Sequence, residues 1–259
     1  MNELENIYNY LVDTIRIISN TDFGALFVLK GGSVLMSKLH ECNRNDLGRL
    51  TRDIDIHCES KEVWINFCRN IENILNNNSF GYIYKLVGRR STDIDLDASD
   101  SLKLILLDTR LNKEVHIKID MNIKSNSIIT CEYSIPLNMY TYDFYTSLSD
   151  KIVVVSSEKI YRRIKDLYDI AVIANISDLS YSNIAQHIRV KHTNAELKNM
   201  ITQENISKID HAYNAYKGIS IKPDMNSLLS LASRFLQPFY VNYQGELLWY
   251  HNQLSWIEQ

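Results

Sequence analysis

Ala25-Leu26-Phe27-Val28-Leu29-Lys30-Gly31-Gly32-Ser33 is the stretch on which the reading of this chain turns. Its apolar run, Ala25 to Leu29, is too short for a helix and suits a buried strand. The strand closes on Gly31-Gly32-Ser33, and Val34 to Leu39 can begin a helix. Two glycines let the backbone come close to a ligand, and a helix N-terminus turns free N–H groups toward an anion. Ser33 adds a hydroxyl donor. Phosphate is the natural guest, although the same residues also serve as a plain turn with a helix cap.

The next informative stretch is Asp53-Ile54-Asp55-Ile56, which alternates with period two. On a strand, residues i and i+2 share a face, so both carboxylates point one way and the isoleucines the other. Two acids held that closely repel unless a cation lies between them, and an oxygen-rich site suits Mg²⁺, with Mn²⁺ as the alternative ion. A third constellation is His116-Ile117-Lys118-Ile119-Asp120, whose charged residues share one face while the isoleucines take the core. A phosphate-cradling turn, two carboxylates on one strand and a third on another form the ingredients of two-metal phosphoryl transfer. Thr92-Asp93-Ile94-Asp95-Leu96-Asp97 repeats the acidic alternation, but it lacks an upstream Gly-Gly-Ser and reads as an acidic edge.

Outward from these motifs, residues 3–19 place Leu4, Ile7, Leu11, Ile15 and Ile18 at helical spacing. His40 to Gly48 reads as loop. Residues 61–76 form a second amphipathic pattern through Val63, Phe67, Ile71, Ile74 and Leu75. Tyr82 to Val87, Leu102 to Leu107 and Glu114 to Asn122 read as strands, and Asn112-Lys113 makes an antiparallel hairpin of the last two. From about Tyr142 the pattern is helical nearly to the end, with Pro238 in a short aromatic tail. The expected class is α+β: a core of mixed sheet flanked by helices over residues 1–140, and a mostly helical region over 141–259.

The net charge of -3, with 45% hydrophobic and 23% charged residues, describes an ordinary folded chain. It argues against a protein that coats long nucleic acid, while brief contact with one nucleic-acid end needs only a local basic patch. Cys42, Cys58, Cys68 and Cys131 are scattered without zinc-ligand spacing, so reduced thiols are expected. The start of the chain lacks a signal-peptide pattern, and no run approaches the roughly 18 apolar residues that span a bilayer. The expected location is the cytoplasm, with no membrane partner.

Gly32-Ser33, Asp53-Ile54-Asp55 and Asp120 together resemble the signature of the polymerase β-type nucleotidyltransferase superfamily. A nearer resemblance is to the AbiEii/AbiGii-type toxins, whose pattern has an apolar strand, a Lys-Gly-Gly-Ser/Thr turn and an Arg-x-Ser/Thr-x-Asp-Ile-Asp run. Those stand here as Leu29-Lys30-Gly31-Gly32-Ser33 and Arg49-Leu50-Thr51-Arg52-Asp53-Ile54-Asp55. That family's later motif, a Lys-containing helix and a Lys/Arg-Asp-x-x-Asp run, is similar to Asp150-Lys151 and Arg162-Arg163-Ile164-Lys165-Asp166-Leu167-Tyr168-Asp169. The likeness runs from about residue 26 to 175. One departure is that the stretch from Ser33 to Asp53 is longer than is typical, the surplus falling in polar His40 to Gly48, where an insertion costs little.

The resemblance implies a nucleotidyltransferase that moves NMP from an NTP to an acceptor and releases pyrophosphate. It implies a toxin of a bacterial type IV toxin–antitoxin or abortive phage-infection system, with tRNA or another RNA as acceptor and a cognate antitoxin that need not touch it. Asp53, Asp55 and Asp120 would hold the metal, and Gly31, Gly32 and Ser33 the outer phosphates. Lys151 and a basic residue among Arg162, Arg163 and Lys165 would reach the triphosphate, with Asp166 and Asp169 orienting them. Arg162, Lys165, Asp166 and Asp169 at i, i+3, i+4 and i+7 would share one helix face, an arrangement that an intrahelical salt-bridge stripe also produces. Transfer of AMP to a partner protein by an antitoxin, modification of a small molecule such as an aminoglycoside, and a binding module that has lost its chemistry are the alternatives. The complete acid set argues against the last.

Overall fold

The computed structural model describes residues 3–92, 99–123, 130–219 and 221–259, so Asp93 to Asp97 of the second acidic alternation lie outside the described residues. The chain divides into two compact units, one taking in the elements up to Tyr142, the other running from Asp143 to the C-terminus. Among the described residues no helix is long and apolar enough to cross a membrane.

The first unit is built on a seven-stranded mixed sheet. Its strands are β1 (Phe27–Lys30), β2 (Asp53–Cys58), β3 (Tyr82–Thr92), β4 (Ser99–Asp108), β5 (Lys113–Ile123), β6 (Cys131–Ser134) and β7 (Met139–Tyr142), in the order β3-β4-β5-β2-β1-β7-β6. β2 runs parallel to β5, whereas β1 pairs antiparallel with β2 and β4 antiparallel with β5. The alternation in the sequence assigns the two faces. Ile54, Ile56, Leu102, Leu104, Ile117 and Ile119 are buried in one core with residues of α1 (Glu3–Ser19) and α3 (Lys61–Asn76). Leu11, Ile15 and Ile18 of α1 and Trp64, Phe67, Ile71 and Leu75 of α3 supply the helical side. Burying each of these large side chains contributes roughly 1.5–3 kcal/mol. The first turn of α3 is fixed by Ser60, whose hydroxyl accepts from the Val63 N–H at 3.3 Å.

Three local expectations shift. The first strand begins at Phe27, leaving Leu26 exposed before it. The helix that follows, α2 (Gly31–Glu41), includes the glycines and continues through His40. A 3₁₀ turn, Asn45–Leu47, then interrupts the stretch read as loop.

The second unit packs α4 (Phe144–Val155), α5 (Ile164–Ile176), α6 (Tyr181–Lys191), α7 (Gln203–Ala215) and α8 (Met225–Tyr240). It also contains a small sheet of β8 (Leu179–Ser180), β9 (Leu247–Tyr250) and β10 (Ser255–Glu258), which helical periodicity had concealed. Pro238 sits inside the last turns of α8 rather than in a tail. Trp249 is fully buried there, its indole N–H donating to the Ala174 carbonyl at 2.6 Å.

Candidate active site

The open face of the first unit's sheet gathers the charged residues that the alternation turns away from the core. One register row crosses five strands: Lys30 opposite Asp55, Asp55 opposite Asp120, Asp120 opposite Ser101 and Ser101 opposite Arg90. The adjacent row sets Asp53 opposite Lys118, Lys118 opposite Lys103 and Lys103 opposite Gly88. Neighbouring strands are about 4.8 Å apart, so Asp55 and Asp120 are side by side although 65 residues of chain separate them. A cavity of about 680 Å³ opens here, lined by Asp55, Asp120, Lys118, Asn122, Ser101, Lys103 and Arg90 among others.

Gly31 is fixed by this packing. Its φ of +75° is a left-handed conformation, and a Cβ there would stand 2.1 Å from the Asp55 Oδ2. Only glycine lets the carboxylate lie against the backbone. Gly32 is crowded from another side: a Cβ would meet the Thr51 hydroxyl at 2.9 Å and the Arg49 guanidinium at 3.1 Å. The side chains of Arg49 and Thr51, both buried, therefore brace the glycine turn and tie the two halves of the quoted pattern together. Ser33 is fully buried, its hydroxyl directed at the Lys30 carbonyl at 3.5 Å. Lys30 donates to the Asn122 side-chain carbonyl at 2.7 Å and its ammonium lies 5.9 Å from the Tyr142 ring centre.

Asp53, Asp55 and Asp120 thus share one face, as the spacing requires, but they do not close on a common point. Lys118 donates to Asp120 at 2.5 Å. Burial alone would depress the Lys118 pKa; the bond to Asp120 and the charges of Asp120, Asp53 and Asp55 outweigh it and raise the pKa above the ordinary lysine value. Among the described residues no group of three or more His, Cys, Asp or Glu side chains is gathered as a metal cage. The donor chemistry still fits a hard cation, since three carboxylates on one face already attract a positive charge, here the lysine's.

In the second unit, Lys151 of α4 is held by two acids of α5, donating to Asp169 at 2.7 Å and to Asp166 at 3.3 Å. The Lys151 side chain is 11% exposed and that of Asp169 is 0%. The expected single face of Arg162, Lys165, Asp166 and Asp169 does not form. Arg162 belongs to the 3₁₀ turn Ile160–Arg162, and α5 starts afresh at Ile164, so the helical phase is broken between them. Arg162 lies over Tyr161, and Lys165 over Tyr216. Asp150 pairs with Lys191 at 2.8 Å and His192 at 2.9 Å.

Sequence reasoning had left Lys103, Ser101 and Arg90 out of the site. Alternation puts Lys118 on the face of Asp120 but names no partner for it. Their signal was register: alternation places residues on a face, and strand pairing decides which residues lie side by side.

The family model described as nucleotidyl transferase AbiEii toxin of type IV toxin–antitoxin systems matches residues 15–216. Two solved structures share the fold. JHP933 from Helicobacter pylori superposes with a TM-score of 0.56 at 13% identity, covering 93% of this chain and 94% of that one. A candidate nucleotidyltransferase, also from H. pylori, gives 0.56 at 14% identity over 93% and 97%. No curated protein matches the chain in sequence. With most of its length inside the family match, the chain belongs to the AbiEii toxin family of type IV toxin–antitoxin systems and is a nucleotidyltransferase.

Proposed function

We propose that this nucleotidyltransferase moves a nucleoside monophosphate from an NTP to an RNA hydroxyl, with tRNA as the leading acceptor, and acts as the toxin of its system. The observation that carries the reading is the register that sets Asp120 beside Asp55, with Gly31 against the Asp55 carboxylate. Asp53, Asp55 and Asp120 would hold Mg²⁺, or Mn²⁺ in its place; the ion supplies charge neutralisation on the transferring phosphate. The N–H groups of the Gly31–Ser33 helix start receive the outer phosphates. The acceptor oxygen bonds to the α-phosphorus as the bond to the β-phosphate breaks, and pyrophosphate leaves. The hydroxyl proton passes to Asp120 and on to solvent. Catalysis of this kind rests on positioning and electrostatics. A cognate antitoxin is the expected partner, and the cytoplasm, where NTPs and RNA are both at hand, is the expected location.

The test is incubation of the wild-type chain with each α-labelled NTP in turn, with Mg²⁺, total RNA and total protein. Label in RNA, absent from Asp53→Ala and Asp55→Ala, is expected. Label only in protein would replace this reading with protein AMPylation, and label in neither would end both.

A further inference from the structure

The cavity beside Asp55 and Asp120 has two unlike sides. Toward β1 it ends at Asp55, and the glycine turn packs against the far side of that carboxylate. Toward β4 and β3 it is lined by Lys103, Arg90 and the Arg89–Asp100 pair, with Ser101 between the strands. Lys103 stands directly opposite Lys118, and Arg90 lies two strands beyond Asp120 in its own row, about 10 Å away. Both side chains are exposed, and neither makes an ion pair among the described residues. In a chain of net charge -3 these cations are a local concentration, not an overall excess.

A local irregularity builds the arrangement. Leu86 pairs with Leu104 and Gly88 with Lys103, so the ladder skips Val87. That one-residue slip inverts the facing of everything after it. Without it Arg90 would share the buried face of Leu86. With it, Arg90 joins Ser101 and Asp120 on the open face, while Arg89 pairs with Asp100 and keeps 39% of its side chain exposed. The Lys103 stem runs alongside Gly88, 3.8 Å from where a Cβ would stand, an ordinary van der Waals contact.

We infer that Lys103 and Arg90 are positioning residues for the acceptor: they hold the phosphodiester backbone of an RNA strand whose terminal hydroxyl is presented to Asp120. The inference rests on the RNA reading above and adds the side from which the strand enters. Asp120 is the site acid nearest the β4–β3 side, and the glycine turn that takes the NTP phosphates lies on the other side of Asp55. Exposed cations at diagonal positions of neighbouring strands suit a charged strand read without regard to sequence. A neutral small acceptor would gain nothing from them.

The experiment compares the wild-type full chain with Lys103→Gln, Arg90→Gln and the double variant, using bulk tRNA and an α-labelled NTP. Each single variant is expected to raise the KM for tRNA about 5- to 10-fold, leaving the KM for NTP unchanged. The salt dependence of tRNA binding should flatten by roughly 0.7 per cation removed. Lys103→Arg, which keeps the charge, should restore the wild-type KM, and matching circular dichroism spectra exclude misfolding. An unchanged tRNA KM, or a rise in the NTP KM of the same size, overturns the inference while leaving RNA transfer standing. No transfer to tRNA or any other RNA by the wild-type chain overturns the reading beneath it as well.

Discussion

The two faces of one sheet treat their acids in opposite ways. On the buried face, every carboxylate is surrounded by fixed donors. Asp100 accepts from the Trp64 indole at 2.9 Å, from Arg89 at 2.6 Å and from the Ser101 N–H at 2.9 Å. Asp108 accepts from the Tyr10 hydroxyl at 3.1 Å and from the Arg110 and Leu111 backbone at 3.0 and 3.3 Å. On the open face Asp53, Asp55 and Asp120 are aligned by register, and Asp120 meets a lysine whose side chain is 40% exposed. An acid enclosed by immobile donors is part of the fold. Acids lined up beside an exchangeable cation are equipped to take a ligand.

The largest effect should come from the open face. Asp55→Ala is expected to lower transfer by roughly 10⁴-fold, about 5.5 kcal/mol of transition-state stabilisation, in line with the removal of other charge-stabilising groups in phosphoryl transfer. Its unfolding free energy should hold or rise, because one of three like charges is gone. Steady-state kinetics and chemical denaturation on the same preparation read both. Loss of folding together with activity would erase the contrast. Asp100→Ala should do the reverse, destabilising by about 3 kcal/mol because it orphans a buried indole N–H and breaks an arginine pair. Transfer per folded molecule should be retained.

Gly31→Ala probes the seam between the faces. Left-handed backbone costs alanine about 1–2 kcal/mol. The new Cβ, 2.1 Å from the Asp55 Oδ2, forces the carboxylate to move. A misplacement of about 1 Å typically costs 100-fold in rate, so kcat should fall by about that factor with the Asp55 side chain still present. Full activity would mean that Asp55 does not need its observed seat.

Much of this was legible in the sequence, and what was not follows a rule. The helices at 3–19 and 61–76, the alternation of Asp53 to Ile56 and the β4–β5 hairpin are local, so periodicity revealed them. Putting Asp120 beside Asp55 required knowing that β2 pairs parallel with β5, a long-range choice that no local pattern encodes. Arg90 was hidden more deeply, since plain alternation puts it on the wrong face and only the skipped Val87 corrects it. Arg162 was misplaced because helical spacing was projected through a 3₁₀ turn. β9, Leu247–Tyr250, is a short apolar run that reads equally as helix.

The smallest expected effect sharpens the buried side of the contrast and depends on pH. Burial would raise the Asp108 pKa, but the donors from Arg110, Tyr10 and Leu111 outweigh it and hold the carboxyl below the usual aspartate value. A carboxyl lowered on folding stabilises the native state at pH values above its unfolded pKa, about 3.9. That contribution is lost as pH falls through the lower, folded value. Asp108→Asn keeps an acceptor for the backbone N–H groups and loses the ionised oxygen that takes the Tyr10 hydroxyl. It should therefore cost on the order of 1 kcal/mol near neutrality. The gap from wild type should narrow below about pH 4. Denaturation curves from pH 7 down to 2 measure it, and a gap that stayed constant through the acid range would mean that hydrogen-bond shape, not charge, is what Asp108 provides.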